Sequence, residues 1–114
     1  MRKHILIHIT CPPTPDCEAL EYALAMAAFD LPVHVLLSGD GIYWLQAPQE
    51  ARKPGGRRPD KLLGALGIYG IDEVACVAGA ATSDSNIKTL NDTRILSDTE
   101  LHHWVANAKQ TVMF

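Results

Sequence analysis

No stretch of the 114-residue chain approaches the roughly 20 consecutive apolar residues that a membrane-spanning helix requires. Cysteine is scarce and odd in number. Cys11, Cys17 and Cys76 cannot all pair, and a chain that is 47% hydrophobic needs no disulfide to close its core, so a reducing cytoplasm is the expected compartment. No cleavable leader is expected: the basic start "MRKHILIHIT" leads into a short apolar run that alternates with His4 and His8 and ends at Pro12-Pro13. Excess positive charge is absent. A formal net charge of −3 and a pI near 5.9 argue against a surface built to neutralise phosphates, which leaves contact with nucleic acid at most indirect. No internal repeat or low-complexity segment occurs. Gly39-Asp40-Gly41 is too short for a dinucleotide fingerprint, and its aspartate repels phosphate. The five residues between Cys11 and Cys17 match no zinc or thioredoxin-type spacing. Neither a metal nor a cofactor is expected.

What remains is one domain, residues 1–114, whose pattern alternates strand and helix. Residues 4–10 have the period of a strand, with Ile5, Ile7 and Ile9 on one side and His4, Leu6, His8 and Thr10 on the other. Thr14, Pro15 and Asp16 supply a cap, a first-turn proline and a first-turn acid, so a helix is predicted over 15–29 with Leu20, Ala23, Leu24, Ala27 and Ala28 inward. Residues 33–37 read as a continuous apolar strand of a sheet covered on both faces. Residues 42–45 read as a helical turn, and 46–59, rich in proline, glycine and basic residues, as a surface loop. A helix over 60–67 capped by Asp60, a strand over 74–78, a polar loop over 82–86 and a short strand over 94–96 follow. Ser97 and Glu100 form a capping box before the stripe Leu101, Trp104, Val105 and Ala108, and 111–114 closes the chain as a strand. The sum is an α/β domain with a mostly parallel sheet of four or five strands and helices on both faces.

Cys76 is the principal candidate for chemistry. It stands near the carboxyl end of a strand, where open α/β sheets gather their ligands, but "IDEVACVAG" offers it no activating base. A working nucleophile and a small core residue are both open readings. Cys17, in the predicted first helical turn, is a weaker thiolate candidate. His4, His8 and His34 fall in strands expected to be covered, which marks a polar sheet margin, whereas His102 and His103 lie off the apolar stripe of the last helix. Tyr43 and Trp44, beside a turn, with His8 and His34 nearby, are the candidate oligomeric surface, with core packing as the alternative. Arg52, Lys53, Arg57 and Arg58 form a basic loop that is either solvated or a contact for an acidic partner.

Three stretches, "AFDLPVHVLLSGDGIYWL" at 28–45, "LGIYGIDEV" at 66–74 and the terminal "TVMF", resemble the TusC/DsrF subunits of the DsrE-like sulfur-relay family. The resemblance covers nearly the whole chain and implies a three-layer DsrE-like domain. It also implies a heterohexamer with TusB/DsrH-like and TusD/DsrE-like subunits that hands persulfide sulfur to a downstream acceptor protein, toward tRNA wobble-uridine thiolation or through sulfur oxidation. TusD/DsrE subunits carry the persulfide on a cysteine in a context similar to Cys76-Val77-Ala78. TusC/DsrF subunits are not credited with a carrier cysteine, so the resemblance implies a docking partner, with a Cys76 carrier or a regulatory α/β module as alternatives.

Overall fold

The computed structural model describes residues 3–45, 54, 56, 58–71, 73–77 and 93–114. Most of the predicted loop 46–59 and the whole of the predicted loop 82–86 lie outside the described residues. The strands are β1 (His4–Ile9), β2 (Val33–Leu37), β3 (Glu73–Val77), β4 (Thr93–Leu96) and β5 (Ala108–Met113), and the helices are α1 (Glu18–Ala28), α2 (Pro59–Gly64) and α3 (Asp98–Ala106). Two 3-10 segments, Gly39–Leu45 and Leu66–Tyr69, complete the order. The five strands form one sheet, β4-β3-β2-β1-β5, and every neighbouring pair is parallel. None of the described helices is long and apolar enough to cross a membrane.

Alternation along the strands divides the interior in two. Ile5, Ile7 and Ile9 of β1, Val33, Val35 and Leu37 of β2, and Val74 and Cys76 of β3 face a first core, closed by Leu20 and Ala23 of α1, Leu62 and Leu63 of α2, and Trp44, Leu45 and Leu66 of the 3-10 segments. The second face is smaller: Leu6, Leu36, Ala75 and Leu96 pack with Trp104 of α3. The crossover from β1 to β2 steps toward β4 and places α1 on the first face. The return from β4 to β5 steps the opposite way, so a right-handed crossover puts α3 on the second face. At about 1.5 Å per residue, the nine residues of α3 span about 13 Å of a sheet roughly 19 Å wide.

Two helix starts differ from the expectation. α1 begins at Glu18 rather than near Pro15, because Cys17 takes the cap position in the left-handed conformation (φ 51°, ψ 43°). Thr14 does not cap. Its hydroxyl donates to the Glu18 carboxylate instead. Of the predicted stripe, Leu20 and Ala23 are buried, Leu24 and Ala27 partly so, and Ala28 is exposed, while Ala19 joins the core. α2 is capped at Arg58 rather than Asp60, with Pro59 as its first residue, where a missing N–H costs nothing. It ends at Gly64, and the 3-10 segment Leu66–Tyr69 takes over the predicted last turn.

The capping box is present as predicted: the Ser97 hydroxyl accepts the Glu100 N–H, and the Glu100 carboxylate accepts the Ser97 N–H, each at 3.3 Å. Val105 of the predicted stripe is half exposed, and Ala108 already belongs to β5. β5 starts three residues earlier than expected, pairing Ala108 with His4 before a bulge shifts the register to Ile5 and Gln110.

Candidate functional site

Cys76 sits one residue before the end of β3, between Leu37 of β2 and Ile95 of β4. Its side chain points into the first core and is 0% exposed. Burial disfavours the thiolate and pushes its pKa up. Residues 79–82, which follow β3, lie outside the described residues. In this setting Cys76 is a protonated core thiol.

The other two cysteines flank the β1–α1 connection. Cys11 is half-buried and Cys17 is buried. Cys17 was expected in the first turn of the helix, where the dipole favours a thiolate. It stands at the cap instead, and its S–H donates to the Thr14 carbonyl at 3.7 Å, a bond that requires the proton.

Tyr43 and Trp44 part company. Tyr43 lies at the surface, 39% exposed. Trp44 takes the core alternative: it is 0% exposed, and its indole Nε1–H donates to the Cys11 carbonyl at 2.9 Å. The fit depends on Gly41, where a Cβ would stand 2.1 Å from the Ile9 carbonyl oxygen, so the 3-10 segment lies directly against the end of β1. An oligomeric surface cannot be drawn through Trp44 in this chain.

The histidines also divide. His8, half-buried on the Leu6 side of β1, shares a 2.6 Å hydrogen bond between Nε2 and the Ser38 hydroxyl, and burial lowers its pKa. This pair sits at the carboxyl ends of β1 and β2. Close by, Phe114 N–H donates to the His8 carbonyl, and the Thr10 amide and hydroxyl both donate to the Phe114 carbonyl. His34 is not joined to His8 but to His4: their rings stack with centroids 3.7 Å apart and planes 12° apart. Trp104 closes on the stack, 4.6 Å from His34 and 6.3 Å from His4. Burial, His4 and Arg94 lower the His34 pKa to about 4 against a smaller opposing pull from Glu73. Burial likewise lowers that of His4, partly offset by a hydrogen bond with the Trp104 backbone. His102 and His103 are exposed on α3.

Sequence reasoning passed over Ser38, Trp104 as a ring partner, and Arg94. The Arg94 guanidinium bridges Glu73 at 2.9 Å and Glu100 at 3.1 Å and lies 6.0 Å from the Trp104 ring centroid. The pairing of β1 with β2 is what brings His4 and His34 together, and no local motif reports it. Among the described residues, no three His, Cys, Asp or Glu side chains gather in a way that could hold a metal. Chemically, these residues offer three imidazoles whose pKa burial lowers, the Ser38 hydroxyl and the buried thiols of Cys17 and Cys76.

No curated protein matches the chain at a significant level. The crystal structure of the ychN protein from E. coli is similar over 100% of both chains, with a TM-score of 0.78 and 17% sequence identity, which establishes a shared fold. The model of the DsrE/DsrF-like family matches residues 3–114. With its parallel five-stranded sheet and near-complete family match, the chain belongs to the DsrE/DsrF-like family.

Proposed function

We propose that this chain is a TusC/DsrF-type subunit of a persulfide sulfur-relay complex, where it docks and supports the sulfur-carrying subunit and does not itself carry sulfur. Family membership supports the sulfur-relay role, and the three stretches at 28–45, 66–74 and 111–114 support the TusC/DsrF branch. The observation that carries the docking role is the complete burial of Cys76 on the helix-covered face. A carrier thiolate must reach the terminal sulfur of a donor persulfide in line and then be reached by an acceptor. Cys76, enclosed and held as a thiol, does neither. The partners in this reading are TusB/DsrH-like and TusD/DsrE-like subunits in a cytoplasmic heterohexamer, with a downstream sulfur acceptor. Its docking surface includes the exposed Tyr43 ring and the His8 margin.

Affinity purification of the tagged chain from its native host tests the assembly. Recovery in stoichiometric amounts with related DsrE-like subunits is expected. Recovery as a lone monomer overturns the reading.

A further inference from the structure

α3 lies on the second face in the connection between the two edge strands, β4 and β5, and Trp104 is its one buried side chain. Trp104 packs on two imidazoles as well as on the apolar row Leu6, Leu36, Ala75 and Leu96, so the hold of this helix on the sheet includes a titratable contact. We propose that His4, His34 and Trp104 form an acid-released latch, in which protonation of the stacked imidazoles lifts Trp104 and frees α3 from the second face of the sheet.

The geometry admits the neutral rings and opposes the charged ones. With centroids 3.7 Å apart and planes 12° apart, two imidazolium ions would lie face to face at van der Waals distance. One imidazolium gains attraction to the Trp104 ring, yet it becomes a donor at both nitrogens, and one nitrogen of each ring lies where no acceptor among the described residues meets it. His4 Nε2 and His34 Nδ1 are buried and meet no hydrogen-bond partner among the described residues. A buried donor that finds no acceptor, on a group stripped of water, outweighs a partly exposed cation–π contact.

The surrounding charges do not rescue the proton. Glu73 of β3 attracts it, but the Glu73 carboxylate is already bonded to Arg94 of β4. Arg94 repels it and, by also binding Glu100 of α3, fixes its own cation beside the ring stack. From β5, Ala108 pairs with His4 and brings no charge, while Lys109 is exposed. Asp98, His102 and His103 of α3 are exposed as well.

The sign of the linkage follows from the lowered His34 pKa. A released or unfolded His34 takes up its proton near 6.5, the latched one near 4, so between these values the released state binds more protons. The latch is at full strength above 6.5 and is lost as the pH falls through this window.

Fluorine NMR of the full chain labelled with 5-fluorotryptophan tests the latch, with the Trp44 and Trp104 resonances assigned by single Trp→Phe variants. Between pH 6.5 and 4 the Trp104 resonance is expected to move to its solvent-exposed position while that of the fully buried Trp44 stays in place. In His34→Phe, which keeps a ring in the stack and removes the titration of His34 but not that of His4, the Trp104 movement is expected to be reduced. A Trp104 resonance that moves only together with Trp44, or that does not move in this window, overturns the latch, as does an unchanged movement in a folded His34→Phe. The wild-type titration decides the matter even where the variant fails to fold, and it is independent of the assembly test above.

Discussion

The two faces of the sheet are built to different standards. The first is closed by α1, α2 and both 3-10 segments over a continuous apolar core that includes Trp44 and Cys76. The second buries a short row, Leu6, Leu36, Ala75 and Leu96, beneath one helix that rests on histidines. Both faces carry one tryptophan, but Trp44 hydrogen-bonds a backbone carbonyl and is sealed, whereas Trp104 touches groups whose charge depends on pH. The contrast separates roles. Stability, and the cysteine that sequence alone left open, belong to the first face, while the polar chemistry and the capacity to rearrange belong to the second.

Truncating the two tryptophans is the harshest way to break this comparison. Trp44→Ala removes a fully buried ring from a close-packed core and is expected to cost about 3–5 kcal/mol, read by urea denaturation. Trp104→Ala is expected to cost less at pH 7. Its cost is expected to shrink further at pH 5, as the latch weakens, while that of Trp44→Ala holds. Equal costs at both pH values would erase the distinction between the faces.

A milder probe is Cys76. A serine hydroxyl in this apolar site brings a donor and acceptor that must be satisfied, so Cys76→Ser is expected to be less stable than Cys76→Ala by about 1–3 kcal/mol. A reverse ranking by thermal melting would place the side chain in a polar or solvated setting. Smaller again is Ser97→Ala, which removes the capping box of α3 and is expected to cost about 1 kcal/mol. The loss should appear as faster hydrogen exchange in α3 and not in α1. Arg94→Ala breaks two half-exposed ion pairs and is expected to cost less than about 1 kcal/mol at neutral pH.

Local signals made much of the fold legible. The alternation of β1, the apolar run of β2 and the Ser97–Glu100 box each act over a few residues, and each was found where expected. The start of α1 was not. Thr14-Pro15-Asp16 carries a complete local start signal, but burying Cys17 in a left-handed cap is a demand of the tertiary structure. The site shows the same division. Cys76 could be placed on its strand from sequence, yet whether its thiol faced solvent depended on α1, α2 and the 3-10 segments closing over it. Trp44 bonds a carbonyl 33 residues away, and His4 meets His34 through strand pairing. Contacts of that reach leave no periodic trace.

The docking role rests on the closure of the first face over Cys76, and sulfur transfer to that residue is its most direct test. The folded chain, alone and assembled with its related subunits, is incubated with a persulfide donor, and adducts are mapped residue by residue by mass spectrometry, with the urea-unfolded chain as the reactive control. Cys76 is expected to stay unmodified in both folded states and to react when unfolded. An added sulfur on Cys76 of the folded chain, absent in Cys76→Ser, would contradict the docking role and make this subunit a carrier.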